Sequence, residues 1–108
     1  MAKKKRIDKY CNIQYNKTEV YLTKLAYKQV QNLPKHINEA FIIWFRSVEF
    51  EGIANVRKLS GYHDEPLKGK RRRQRSVRLN RAYRIIYKAK QVENILKIEV
   101  LEVTKHDY

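Results

Sequence analysis

Apolar residues change their spacing along this chain, and each change marks an element. Thr18 to Thr23 (TEVYLT) is short, β-branched and aromatic, and reads as a first strand. Lys24 to Leu33 switches to helical spacing, with Ala26, Val30 and Leu33 on one side. Pro34 ends that helix, because it lacks an N–H and disfavours a helical residue before it, and it suits the start of the next one. Lys35 to Glu51 carries the clearest amphipathic pattern. Ile37, Ala40, Phe41, Trp44, Phe45 and Val48 form a broad stripe, opposite Asn38, Glu39, Arg46 and Glu49. Ile42, Ile43 and Phe50 fall outside the stripe. They are expected to pack against the first helix, the alternative being a hydrophobic patch for a partner protein. Gly52 is placed as a left-handed cap, Ile53 to Leu59 as one or two helical turns, and Gly61 to Gly69 as a loop.

From Arg75 onward the period becomes two. Arg75–Leu79, Tyr83–Tyr87 and, after a polar turn near Lys90–Asn94, Ile95–Val103 read as strands. In the last of these, Leu96, Ile98 and Val100 face one way and Lys97 and Glu99 the other. The turn at residue 80 decides what the first hairpin displays. A two-residue turn at Asn80-Arg81 scrambles the apolar pattern. A three-residue turn, Asn80-Arg81-Ala82, sets Leu79 opposite Tyr83 and Val77 opposite Ile85, and sorts every apolar residue from 77 to 87 except Ile86 inward. Such turns commonly hold one left-handed residue, here Asn80 or Arg81. In that register Arg78 and Arg84 project together from the other face, where like charges oppose each other unless an anion lies between them. A strand, two helices and three further strands predict an α+β fold, the two N-terminal helices packed on one face of a small, mainly antiparallel sheet. The other face is expected to be open.

Charge narrows the partners. The chain has 108 residues, enough for one domain with one core, and a formal net charge of +14. With eight Tyr, three Phe and one Trp it is no disordered basic tail, and such a charge favours polyanions, nucleic acid foremost. No apolar run approaches a membrane span, and Lys3 to Arg6 lack the apolar segment of a signal peptide. A single cysteine, Cys11, excludes an internal disulfide and suits a reducing cytosol. No metal site is expected: the histidines and the cysteine are not at ligand spacing, and Asp64, Glu65 and Asp107 are too few for a carboxylate site. Residues 1–17 read as a basic N-terminal extension, ahead of a domain spanning 18–108.

The segments Pro66-Leu67-Lys68-Gly69, Arg75-Ser76-Val77-Arg78-Leu79 and Tyr83-Arg84-Ile85-Ile86-Tyr87 share their order and spacing with a known group. So do Leu33-Pro34-Lys35-His36-Ile37 and the closing Glu102 to Tyr108. Together they resemble the RelE/ParE superfamily, in particular HigB-type toxins of bacterial toxin–antitoxin systems. The resemblance implies a RelE-like fold and a small cytoplasmic, metal-free and cofactor-free endoribonuclease, an mRNA interferase that cuts mRNA in the ribosomal A site. It implies as partner an antitoxin of helix-turn-helix, HigA-like type. By position, Arg84 matches the arginine that stabilises the phosphate, Lys68 the lysine of the Pro-Leu-Lys-Gly loop that acts near the scissile group, and Asp107 and Tyr108 an acidic–aromatic pair at the C-terminus. Where some relatives carry a histidine just before that loop, this chain has Asp64-Glu65, with His63 upstream.

The implied reaction needs a group to take the 2′-OH proton, cations for the phosphorane charge and a proton for the leaving 5′-oxygen. Arginine suits the second role and, being permanently protonated, not the first. His106 is the natural acid or base, Lys68 could act if neighbouring arginines lowered its pKa, and Tyr108 could stack or donate its hydroxyl. Arg71, Arg72 and Arg73 read as contacts to backbone phosphates, and Lys70, Arg75, Arg78, Arg81 and His63 complete the expected RNA-binding set. Two other readings stand beside this one: a ParE-like inhibitor of DNA gyrase, and a non-catalytic RNA- or ribosome-binding module.

Overall fold

A computed structural model describes residues 17–105. The extension expected over residues 1–17 therefore lies almost wholly outside the described residues, as do the candidate site residues His106, Asp107 and Tyr108. Strand β1 (Lys17–Leu22) leads into helix α1 (Lys24–Gln31), then α2 (Lys35–Glu51) and the single-turn α3 (Ile53–Val56). A 3-10 turn (Ser60–Tyr62), a two-residue strand β2 (Glu65–Pro66) and a second 3-10 turn (Gly69–Arg71) follow. Strands β3 (Arg75–Arg78), β4 (Tyr83–Val92) and β5 (Ile95–Lys105) complete one sheet of order β1-β5-β4-β3-β2. Among the described residues only β1 runs parallel to its neighbour, β5; the other pairings are antiparallel.

Local chemistry sets the element ends. Thr23, predicted as the end of the first strand, instead caps α1: its Oγ1 accepts from the Ala26 N–H at 3.0 Å and donates to the Leu101 carbonyl at 3.1 Å. One side chain thus ties the helix start to β5. Pro34 stands at the start of α2 as its residue type dictates. At the other end Gly52 takes φ 87°, ψ 150°, a conformation open almost only to glycine.

The core lies between α2 and the sheet. Ile37, Phe41, Trp44 and Val48, spaced three to four apart, are buried along α2. Phe41, Trp44 and Val48 meet Val77, Ile85, Tyr87, Ile98, Val100 and Val103 from β3, β4 and β5. The Trp44 ring sits 5.7 Å from that of Tyr87 and 6.3 Å from that of Phe41.

The α+β fold holds, with four particulars corrected. Ile42, Ile43 and Phe50 do not pack against the first helix; all three are exposed, Phe50 at 90%. The strand predicted to end at Tyr87 continues to Val92, because backbone pairing with β5 carries it past the point where side chains alternate. The β4–β5 register shifts between Ile86, opposite Glu102, and Tyr87, opposite Val100. That bulge inserts Leu101 and turns Val103 back into the core. Lastly, the outer face is not wholly open, since Ile86 on it is completely buried. Arg71 reaches over to Glu102, directly opposite Ile86, and its Nη2 donates to Oε2 at 2.7 Å.

Candidate nucleic-acid and catalytic site

The hairpin has the register that its apolar pattern required. Val77 lies opposite Ile85 and Arg78 opposite Arg84, and the Leu79 N–H donates to the Tyr83 carbonyl at 2.9 Å. The turn closes by another device than the one expected. Neither Asn80 nor Arg81 is left-handed; instead Asn80 Oδ1 accepts from the Ala82 N–H at 2.8 Å and the Tyr83 N–H at 2.7 Å. An asparagine that satisfies the turn's own donors makes a positive φ unnecessary.

Alternation from that register fills the outer face. Glu65 pairs with Ser76, Ser76 with Ile86, and Ile86 with Glu102 along one rung; Arg78, Arg84 and Thr104 form the next. Arg78, Arg84, Ser76 and Glu65, with His63, Asn80, Arg81 and Tyr83, line a recess of about 270 Å³. Arg84 is half-buried, and its Nε has no hydrogen-bond partner among the described residues. A buried guanidinium N–H left unpaired, facing a second arginine across the strand pair, is a donor set arranged for an anion. His63 enters the recess with φ 45°, ψ 48°, a left-handed conformation unusual for a residue with a side chain. Glu65 supplies the recess with a carboxylate that accepts protons but cannot donate them when ionised.

The expected site residues separate into groups. His63, Arg78, Arg81 and Arg84 come together in the recess. Lys70, Arg72 and Arg73 instead border a second depression of about 350 Å³ with Gln74 and Lys88. Lys68 is exposed just ahead of the second 3-10 turn, and is not among the residues of either depression. Arg71 bonds Gln74 and Glu102, which makes it a strut between the basic loop and β5.

Arg75 lies on the helix side of the sheet, away from the recess. Its Nε donates to Asp64 Oδ1 at 2.5 Å, and the Tyr87 hydroxyl donates to Asp64 Oδ2 at 2.7 Å. Arg57 approaches the same carboxylate at 4.0 Å. Burial, followed by the Asp64 carboxylate, raises the Tyr87 pKa well above the ordinary tyrosine value. Sequence reasoning missed Glu65, Ser76 and Asn80. The signal for Glu65 was present in its replacement of a histidine before the Pro-Leu-Lys-Gly loop, but placing it needed the short edge strand β2, which two residues cannot announce.

No protein-family model matches this chain, and no curated protein matches it. Solved structures do. A YoeB/ParE toxin from Agrobacterium tumefaciens superposes with a TM-score of 0.65 at 17% identity, over 82% of this chain and 99% of that one. The fold is that of the RelE- and YoeB-type toxins. The toxin–antitoxin complex RelBE2 of Mycobacterium tuberculosis contains a chain similar at TM-score 0.58 and 21% identity, over 83% of this chain and 99% of that one. The Escherichia coli DinJ–YafQ toxin–antitoxin complex has one at 0.60 and 18%, over 83% and 93%. At these identities the likeness concerns the fold. Among the described residues, no helix is long and apolar enough to cross a membrane, and no three His, Cys, Asp or Glu side chains are grouped to hold a metal ion.

Proposed function

We propose that this chain is the toxin of a toxin–antitoxin pair, a cytoplasmic endoribonuclease that cuts mRNA on the translating ribosome without a metal. One observation carries the reading: Arg78 and Arg84 stand opposite each other at a recess, with a buried Arg84 N–H that has no partner among the described residues. An RNA phosphate in the recess takes up that donor and separates the two charges. The 2′-oxygen of the preceding ribose attacks phosphorus and gives its proton to Glu65 or His63. Arg84 and Arg78 hold the extra negative charge of the phosphorane, where fixed donors lower the barrier most. The bond to the 5′-oxygen breaks, that oxygen takes a proton from protonated His63 or His106, and a 2′,3′-cyclic phosphate remains.

Glu65 and His63 thus join the candidate acids and bases, alongside His106. Asp107 and Tyr108 remain candidate catalytic residues, and Lys68 a candidate for a phosphate contact beyond the recess. Lys70, Arg72 and Arg73 hold backbone phosphates further along the strand. An antitoxin is the partner that silences the enzyme in this reading, and the solved complexes of similar chains with antitoxins support a partner of that kind; its helix-turn-helix type is part of the proposal.

Brief induction of the chain should stop protein synthesis and leave new mRNA ends inside ribosomes. Arg84→Ala should remove both while the thermal unfolding midpoint stays within a few degrees. Unchanged mRNA cleavage by that variant would overturn the assignment of Arg84. Arrested growth with intact mRNA and a DNA-damage response would overturn the ribonuclease reading in favour of gyrase inhibition.

A further inference from the structure

Asp64 sits between two residues of the recess and belongs to neither side of it. His63 and Glu65 both line the recess on the outer face, whereas the Asp64 side chain is only 1% exposed and is held on the helix side of the sheet. Three hydrogen bonds from two side chains fix it there. Arg75 and Tyr87, which face each other across β3 and β4, each bond one carboxylate oxygen. Arg75 Nη2 also donates to the Asp64 backbone carbonyl at 3.3 Å. The clamp therefore grips main chain as well as side chain. A single residue anchored to two strands, beneath a neighbour in a left-handed conformation, fixes where that neighbour's ring and the next carboxylate emerge.

We infer that Asp64 is the positioning residue of this site: clamped by Arg75 and Tyr87, it holds His63 and Glu65 at the edge of the Arg78–Arg84 recess. The inference rests on the ribonuclease reading for its catalytic half and on geometry alone for the rest. Arg78 and Arg84 are held by the β3–β4 pairing itself, not by Asp64, so substrate binding does not need the clamp. Proton transfer does, because displacement of a reacting group by about 1 Å can lower a rate roughly a hundredfold.

The test compares the full chain with Asp64→Asn and with Val48→Ala, a core truncation in α2 that lines no part of the recess and lowers stability by another route. Cleavage of a synthetic mRNA on purified programmed ribosomes gives kcat, KM and the pH–rate profile for each. Asp64→Asn should lower kcat about ten- to hundredfold, leave KM within about twofold, and reshape the pH profile. Val48→Ala should leave kcat, KM and profile as they are. Asp64→Glu, which restores the charge, should recover part of kcat. In parallel, the His63 imidazole resonances, followed by NMR against pH in the presence of its recess neighbours Glu65, Arg78, Arg81 and Arg84, should move in Asp64→Asn and stay in Val48→Ala. Equal kcat losses in the two variants, or unmoved His63 resonances in Asp64→Asn, would overturn the inference. A parent chain that cuts no mRNA would sink the ribonuclease reading instead, and the imidazole measurement would still decide whether Asp64 sets the place of His63.

Discussion

Replacing Arg78 with Gln should make the protein more stable. The two guanidinium groups of Arg78 and Arg84 belong to directly opposed residues, and no carboxylate pairs with either one among the described residues. Taking a charge separation of about 7 Å, Coulomb's law gives a repulsion of roughly 0.6 kcal/mol in water and roughly 2.4 kcal/mol at an effective dielectric of 20. Arg78 is exposed and Arg84 half-buried, which places the repulsion toward the lower end, about 0.5–1 kcal/mol. Gln keeps most of the length and the hydrogen-bonding capacity while removing the charge, so packing changes contribute little.

Urea unfolding at low and high salt checks the magnitude and its origin. Near 0.01 M salt the Debye length is about 30 Å, and near 1 M it is about 3 Å. Arg78→Gln should gain its 0.5–1 kcal/mol, or roughly 2–6 °C in thermal midpoint, at low salt and lose most of that gain at high salt. Arg46→Gln, on the exposed side of α2, should show no comparable gain. The same Arg78→Gln change should weaken RNA cleavage, so that stability and activity move in opposite directions, as they do where a site is strained for its task. A variant no more stable than the parent at low salt would refute the claim that the recess holds uncompensated repulsion. So would a gain that salt leaves untouched.

Three further outcomes follow from the fold. Tyr87→Phe should cost about 1–2 kcal/mol near pH 8 through the lost bond to Asp64. Because the folded-state pKa of Tyr87 is raised, its contribution is complete below the unfolded value of about 10 and is lost as pH rises above it. The stability gap between parent and Tyr87→Phe should therefore narrow from pH 8 to about 11, and a constant gap would contradict the assignment. Gly52→Ala should cost about 1–3 kcal/mol through backbone strain alone, since an added Cβ there meets no atom within 4 Å; an unchanged urea midpoint would rule the strain out. Trp44→Ala should cost about 3–5 kcal/mol, measured the same way, because its indole is fully buried against Phe41 and Tyr87.

What the sequence disclosed of this molecule depends on which physical constraint each residue obeys. Helix α2 and the β3–β4 register were legible because burial enforces period: Val77, Ile85 and Tyr87 can reach one core only in the register that also sets Arg78 against Arg84. Where burial is absent the pattern falls silent. The arm Lys88–Val92 is exposed throughout, so nothing in its side chains reveals that the strand continues. The bulge at Leu101 is equally hidden, because an extra residue looks the same in a linear pattern as a strand that simply stops. Charge is more ambiguous still. Arg71, Arg75 and Arg84 stand within fourteen positions of one another and read alike, yet one braces a loop against Glu102, one clamps a buried Asp64, and one faces the recess with an unpaired N–H. What separates them is the location of the few carboxylates. In a chain with so large an excess of cations, Asp64 and Glu102 decide which arginines are structural, and the arginines left without an acid become the ones available to a phosphate. The basic face is thus defined less by its arginines than by the acids that are placed elsewhere.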